Sequence, residues 1–413
     1  MVARAGAISL AILMMSPVFV WAENPEIIEV MYIARWSAYR SRFDMMIDID
    51  PAVNVLGVPM PGTFSIGKGY IDAEDLNRRM RIYMPRTLHQ LVTERNLVVM
   101  QDAPRGHHEI TQVYFDPKWI FWFVEGVKNS ELDLAMWGGD ASWGGGGEGD
   151  YPSWGETPLD EILPLKSGSG YNLYGIHERS FRNPDHPLAR IPWSDAPPIE
   201  HVNMADVKQG AVTVAEATSS KRSYPWIAYW EVGNNRVVGE TEVFGSAGTT
   251  HIHDVMRLQW RWYQDFLIYM VYFATDRPIP DDVYQVHRIR NEINLYVARA
   301  SLMISLLEFV STFGASTGQL FDQLEVMDEW KRSAESKFRE GEYEAAAMIF
   351  DELEESWRDL DSRAVNAKER ALFWVYLIEW SSVTSIGLIT GILSWMLMVR
   401  RRFYREVGIT RSR

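Results

Sequence analysis

His251 and His253 are the pair of residues whose type and spacing point most directly to chemistry. On an extended strand, side chains two residues apart lie on the same side, so both imidazoles could bind one metal ion. A metal site needs at least one further ligand, for which the candidates are His107, His108 and His186. In the alternative interpretation, Asp254 caps the helix that follows, and the two histidines are polar loop residues. The sequence leaves both interpretations open.

Two carboxylates, Asp102 and Asp140, each follow an apolar stretch that is predicted to be a strand. Acids at strand ends could act as general acid and base in an extracytoplasmic hydrolase or lyase, with a metal at the two histidines as an option. Ser142 could act as a nucleophile, but no histidine and acid can be paired with it from the sequence. The chain contains no cysteine, which excludes every thiolate mechanism.

Glycine is concentrated in the segment Gly138–Tyr151, which includes four consecutive glycines at 144–147. Such density permits positive φ angles and close backbone approach. A phosphate-binding loop would continue into Gly-Lys-[Ser/Thr], which does not follow here, so a tight strand-to-helix turn is the better interpretation. We predict that this turn forms the rim of a ligand site, composed of Gly138, Gly139, Asp140, Trp143, Tyr151 and Trp154. Its three aromatic residues are expected to be exposed for stacking on a sugar ring or packing on a protein.

These candidate residues are positioned by strands that alternate with helices. Predicted strands cover residues 27–33, 53–58, 96–101 and 132–137, with helical patterns at 37–48, 85–95 and 116–128. Continuous apolar strands separated by helices predict an α/β fold with a parallel sheet that is covered by helices. In such a sheet, the loops at the carboxyl ends of the strands build the site. Those loops are 34–37, 102–108 and 138–151.

The second half of the chain changes character from strands to helices. Further strands are predicted at 210–215, 224–230 and 236–240, followed by an aromatic helix at 255–275. Residues 281–370 are helical throughout, with breaks around Gly314 and Gly341. We interpret this region as a helical hairpin that serves as a stalk.

The stalk runs into an apolar segment, Leu372–Val399, which is long enough for one transmembrane helix. Arg400, Arg401, Arg402 and Arg405 follow directly and predict that the carboxyl terminus is cytoplasmic. Glu379 is expected at the outer interface, since a carboxylate in hydrocarbon is costly. Gly387 and Gly391 suit helix packing in the membrane, so a homo-oligomer or a membrane partner protein is an open alternative.

The amino terminus predicts that the rest of the protein is extracytoplasmic. Residues 1–22 have a positive start, an apolar run and a small-residue site, as a secretory signal does, although a retained anchor is the alternative. The net charge of the whole chain is −14, while residues 400–413 contain six arginines and one glutamate. An acidic exterior part argues against nucleic acid as a partner.

Several segments together resemble the glutamine amidotransferase-like family of prokaryotic extracytoplasmic proteins, a branch of the class I amidotransferase-like fold. The resemblance covers roughly residues 25–275 and is carried by these segments: Leu132–Ser142, Gly144–Gly147, Thr157–Leu165, Asp185–Leu188, Ile191–Trp193, Gly210–Val212 and Asn235–Val238. It implies a flavodoxin-like sheet and places the nucleophile elbow of the family at Trp137–Ala141. Gly139 and Asp140 stand where that family needs cysteine, so the resemblance does not extend to glutaminase chemistry.

The sequence therefore predicts five regions: a signal peptide (1–22), an amidotransferase-like α/β domain (23–280), a helical stalk (281–370), a transmembrane helix (371–399) and a basic cytoplasmic tail (400–413). The leading hypothesis is a single-span cell-membrane protein that binds a ligand or a partner protein without catalysis or cofactor. The competing hypothesis is the hydrolase or lyase that would use Asp102 and Asp140.

Overall fold

The computed structural model describes residues 27–35, 47–60, 73–103, 115–139, 142–143, 154–220, 222–242 and 260–410. Across these ranges, nine strands form one sheet in the order β2-β1-β3-β4-β9-β8-β7-β5-β6. The strands are β1 (Ile28–Arg35), β2 (Val53–Met60), β3 (Leu97–Gln101), β4 (Asp133–Trp137), β5 (Leu165–Phe181), β6 (Ile199–Val207), β7 (Val212–Thr218), β8 (Ser223–Val232) and β9 (Asn235–Glu240).

The sheet is mixed. Strands β2, β1, β3, β4 and β9 pair in parallel, whereas β9, β8, β7, β5 and β6 pair in antiparallel fashion. The predicted α/β class is confirmed. The expectation of a wholly parallel, flavodoxin-like sheet is wrong for the sheet as a whole, because four antiparallel strands extend it beyond β9.

Two of the antiparallel strands, β5 and β6, were not predicted from the sequence. β5 is 17 residues long, and its Lys-Ser-Gly-Ser-Gly stretch lacks the alternation of apolar and polar residues that marks a half-buried strand. The residues up to His177 pair with β6, and Glu178–Phe181 pair with β7. The strand therefore exists because it has partners on both sides, which a local pattern does not reveal.

Helices cover both faces of the sheet. On one face lie α1 (Ala73–Tyr83), α2 (Leu88–Glu94) and α3 (Pro117–Lys128), which bury Met80, Leu91 and Phe123 in the same core. The start of α3 is fixed by Asp116, whose carboxylate accepts from the Lys118 backbone N–H at 3.0 Å, and by proline at the first helical position. Thr87 caps α2 in the same way.

The other face is covered by the aromatic helix α4 (Tyr263–Ala274), in which every residue except Gln264 is buried. Two of its polar side chains form specific contacts. The Tyr272 hydroxyl donates to the Asp50 carboxylate at 2.9 Å, and the Asp265 carboxylate lies 2.6 Å from the His287 ring. The predicted helix began at residue 255, but residues 255–259 lie outside the described ranges.

The chain divides into two compact units, residues 1–287 with 336–342, and residues 288–335 with 343–413. The helices after the sheet are α5 (Val283–Ser311), α6 (Gly318–Arg339) and α7 (Tyr343–Thr410). In the second unit, the Tyr296 hydroxyl donates to Asp328 of α6 at 2.7 Å, and its ring lies 5.4 Å from that of Trp357 of α7. This part is therefore a packed set of three helices rather than a simple hairpin. The predicted breaks are confirmed at Gly314 and Gly341, which have φ angles of +79° and +80°.

Within the described part of the chain, two helices are long and apolar enough to cross a membrane, Val283–Ser311 and Tyr343–Arg402. They differ in burial. In the most apolar 18 residues, 28% are buried for the first helix and 0% for the second. The predicted span thus belongs to α7, which continues without interruption from the packed region. The first helix is a further candidate that the sequence analysis did not identify. The signal segment 1–22 lies outside the described residues.

We predict that Gly341→Ala destabilises the folded chain by roughly 1–2 kcal/mol, because alanine must adopt a left-handed backbone there. An added Cβ atom meets nothing within 4 Å at Gly341 and also nothing at Gly318, which has no positive φ angle. Gly318→Ala is therefore the matched control and should leave stability unchanged or slightly raised. Denaturant unfolding of the full chain in detergent micelles measures both, and equal effects of the two substitutions would contradict the assignment.

Candidate functional site

The carboxyl ends of the five parallel strands lie at one edge of the sheet and define the candidate site. The last residues of three neighbouring strands are Gln101 of β3, Trp137 of β4 and Glu240 of β9. All three are buried, with exposed fractions of 0–1%. Parallel strands place their carboxyl ends together, and ligands of open α/β sheets bind outside them.

At the end of β4, the glycines of the predicted rim allow a close approach between strands. A Cβ atom on Gly138 would lie 2.0 Å from the Glu242 carbonyl oxygen, and one on Gly139 would lie 2.2 Å from the Cβ atom of Asp102. Neither position can hold a larger residue without moving the backbone. These two glycines are thus required by packing of the described chain, and the other glycines of the segment, 144–147 and 149, lie outside it.

The backbone groups of these two glycines are bound by side chains from other strands. The Gly138 N–H donates to the Glu240 carboxylate at 3.0 Å, and the Gly139 N–H donates to the Asn203 side-chain oxygen at 3.2 Å. The Asn203 amide group in turn donates to the Gly139 carbonyl at 2.9 Å. These contacts fix the turn after β4 to strands β6 and β9.

Of the predicted catalytic candidates, Asp102 and Ser142 are described and both are buried. The Ser142 hydroxyl donates to the Trp137 carbonyl at 2.6 Å. Asp102 directly follows β3 and has a φ angle of +45°, which is uncommon for a residue other than glycine. A sharp strand-end turn therefore lies at Asp102. The elbow predicted at Trp137–Ala141 stays a prediction, because residues 140 and 141 lie outside the described residues. Asp140 lies outside the described residues.

The sequence analysis missed a buried acidic pair, Glu240 and Glu242. The Glu240 carboxylate accepts from the Gly138 N–H, from the Trp226 indole N–H at 2.9 Å and from the Glu242 backbone N–H. Glu242 forms an ion pair with Arg179 at 3.2 Å, and the Arg179 guanidinium lies 5.2–5.4 Å from the rings of two tryptophans. The alternating Glu-Thr-Glu at the end of a predicted strand was the available signal, but it gives no indication of burial.

Burial sets the ionisation of this pair. It raises the pKa of Glu240 well above the ordinary value of 4.5, and the neighbouring Glu242 charge raises it further. Burial also raises the pKa of Glu242, against the opposing effect of the Arg179 guanidinium. Because the Arg179 guanidinium contacts Glu242, the pair favours a state in which Glu240 holds a proton and Glu242 is ionised.

The expectation that Trp143 and Trp154 are exposed for stacking is wrong, because both side chains are fully buried. The Trp143 indole N–H donates to the Glu240 carbonyl at 2.6 Å, and the Trp154 indole N–H donates to the Ala103 carbonyl at 2.9 Å. The two rings hold the chain segments around the strand ends in place. Tyr151, the third aromatic residue of the predicted rim, lies outside the described residues.

The predicted metal ligands His251 and His253, with His107 and His108, also lie outside the described residues. His186 caps a short 3-10 helix, with its ring nitrogen accepting from the Leu188 backbone N–H at 3.2 Å. This agrees with a structural role for His186. Within the described ranges, no three His, Asp or Glu side chains lie close enough to hold a metal ion.

Comparisons with known proteins give no family. No protein-family model matches the chain, and no curated protein sequence matches it. Among solved structures, it is similar to Cytoplasmic Protein STM3548 from Salmonella typhimurium, with 18% identity and a TM-score of 0.42 over 59% of this chain and 98% of that one. It is also similar to Cytoplasmic Protein STM1381 from Salmonella typhimurium LT2, with 15% identity and a TM-score of 0.44 over 60% and 99%. The resemblance to the amidotransferase-like family stays a prediction.

We predict that Glu240→Gln flattens the dependence of stability on pH. The raised pKa means that the folded state binds the proton more tightly than the unfolded chain, so Glu240 lowers the unfolding free energy as the pH rises above 4.5. Glutamine does not titrate, although it accepts fewer hydrogen bonds and therefore costs stability at every pH. The slope between about pH 5 and 8, from denaturant unfolding of the full chain in micelles, is the measurement.

Glu231→Gln is the control, since Glu231 lies on the adjoining strand β8 with its side chain 64% exposed. It should leave the slope unchanged. Equal slopes for wild type and Glu240→Gln would show that the carboxyl of Glu240 does not titrate abnormally.

Proposed function

We propose that this chain is a membrane-anchored, extracytoplasmic protein whose α/β domain binds a ligand or a partner protein at the carboxyl ends of its parallel strands, without amidotransferase activity. Taken alone, the five parallel strands follow the order 2-1-3-4-9, which corresponds to the flavodoxin-like order 2-1-3-4-5. In sheets of that order, the ligand lies outside the carboxyl ends of the strands. This supports the same edge as the binding surface here.

The proposal rests on one observation. The groups that an acyl-transfer site would use already form hydrogen bonds within the protein. Such a site needs a nucleophile activated by a base and N–H donors aimed at the developing oxyanion. Here the Ser142 hydroxyl donates to a backbone carbonyl. The N–H groups of Gly138 and Gly139 donate to the Glu240 and Asn203 side chains. This arrangement favours noncovalent binding over covalent catalysis.

The anchor is supported by the surface of the last part of α7. Its apolar side chains are widely exposed, among them Ile386 at 65%, Leu388 at 63% and Ile389 at 58%. Apolar surface in water costs roughly 25 cal/mol per Å², and a bilayer removes that cost. The arginines that follow the segment favour a cytoplasmic carboxyl terminus and an extracytoplasmic α/β domain.

We predict that a fluorophosphonate probe, which reacts with activated serines, does not label the full-length protein. A serine without a base is a weak nucleophile. Purified protein in micelles is incubated with the probe and compared with the Ser142→Ala variant and with a known serine hydrolase as the positive control. Labelling of wild type that disappears in Ser142→Ala would exclude the proposal of a binding protein without covalent catalysis.

We predict that Leu388→Arg combined with Ile392→Arg releases the full chain from the membrane fraction. An arginine at the centre of a spanning helix costs about 2.5–3.5 kcal/mol on the insertion scale, so two cost roughly twice that. The matched control is Leu388→Met with Ile392→Leu, which keeps the segment apolar. Fractionation of cells with an alkaline carbonate wash is the measurement, and retention of the double-arginine variant as an integral protein would contradict the anchor.

A further inference from the structure

Among the residues that the structure describes, two buried N–H donors at the candidate site have no hydrogen-bond partner. They are the side-chain amide nitrogen Nε2 of Gln101 and the indole nitrogen Nε1 of Trp137. Their side chains are 0% and 1% exposed. Buried polar groups without partners are rare, because each has lost its hydrogen bonds to water without gaining others. The chain therefore maintains an unfavourable arrangement at both positions.

The two residues that hold these donors lie side by side. Gln101 and Trp137 are paired residues of the parallel strands β3 and β4, so their side chains are neighbours on the same face of the sheet. Each is the last residue of its strand. They thus stand together at the edge where ligands of open α/β sheets bind.

The surroundings hold Gln101 in one orientation. The Tyr32 hydroxyl, two residues before the β1 partner of Gln101, donates to the Gln101 side-chain oxygen. This contact fixes the amide group and directs its nitrogen away from Tyr32. The rings of Tyr32 and Trp137 lie 6.3 Å apart, so the three side chains form one cluster.

The charged side chains near the two donors indicate which kind of ligand fits this edge. The next strand, β9, ends with Glu240, and Glu242 follows and forms an ion pair with Arg179. The Arg179 charge is thus already used, and it is not available to balance a carboxylate or a phosphate brought to the same edge, where burial of an unbalanced charge is unfavourable. An uncharged oxygen acceptor avoids that cost and satisfies both donors.

We propose that Gln101 and Trp137 donate hydrogen bonds to one oxygen atom of a small uncharged ligand, either the carbonyl of an amide or the hydroxyl of a sugar. The inference rests on the proposed function, since it names the residues and the ligand class of that binding surface. Two neutral donors on one oxygen give orientation as well as affinity, in the way that a few polar groups do in pockets otherwise lined by apolar side chains.

The test uses the full chain labelled with 5-fluorotryptophan in detergent micelles and observed by fluorine NMR. Trp137→Phe assigns the Trp137 resonance. Acetamide, glucose and acetate are then titrated separately at equal concentrations. We expect acetamide or glucose to shift the Trp137 resonance saturably and acetate to leave it in place. Trp374, which is 57% exposed on α7, reports nonspecific effects.

The control variant combines Tyr32→Phe with Gln101→Met. It removes the donor and its supporting hydroxyl together while keeping the volume apolar, so it should fold with stability similar to or above that of wild type. In this variant, neither acetamide nor glucose should shift the Trp137 resonance.

Three outcomes would overturn the inference: no shift with either neutral compound, which means that the donors hold an internal water; an equal shift with acetate; or a shift that persists in the double variant. None of these depends on membrane fractionation or on the fluorophosphonate assay. Failure of the ligand assignment is therefore distinguishable from failure of the proposed function.

Discussion

The joint between the parallel and the antiparallel parts of the sheet depends on the buried carboxyl group of Glu240 and its hydrogen bonds. β9 is the strand at which the sheet changes from parallel to antiparallel, because it pairs with β4 on one side and β8 on the other. Glu240, its last residue, accepts hydrogen bonds from the backbone after β4 and from Trp226 of β8. A buried carboxyl without partners would cost several kcal/mol, so the two halves of the sheet stabilise the group that joins them.

This joint also determines what the turn after β4 can do. To bring its backbone against β9 and Asp102, the chain needs glycine at 138 and 139, and the N–H groups exposed by that turn are then used to bind side chains. A turn of similar sequence in an acyl-transfer enzyme would leave them for an oxyanion. The same glycines therefore serve packing here, so under the proposed function side chains of β3 and β4, rather than these N–H groups, would contact the ligand.

Much of the fold was predictable from local patterns. Adjacent residues are enough to predict β3, which has five consecutive buried residues, and α3, which has Asp116 and Pro117 at its start. The features that the sequence did not predict depend on partners that are distant in the chain. β5 forms through pairing with β6 and β7, and its sequence alternation is weak. The burial of Glu242 rests on Arg179, 63 residues earlier in the chain, and Trp143 is buried because its indole reaches the β9 backbone. Neither the burial of Glu242 nor that of Trp143 could be inferred from neighbouring residues in the sequence.

The continuous helix α7 has a mechanical consequence. It is 68 residues long, which at 1.5 Å per residue is about 100 Å. Phe350 and Trp357, near its beginning, are buried in the packed helices, and its later apolar part shares the same unbroken hydrogen-bonded backbone. A rotation or a pull applied to the distal part is therefore carried as torque or tension to those two rings, since no hinge along the rod absorbs it.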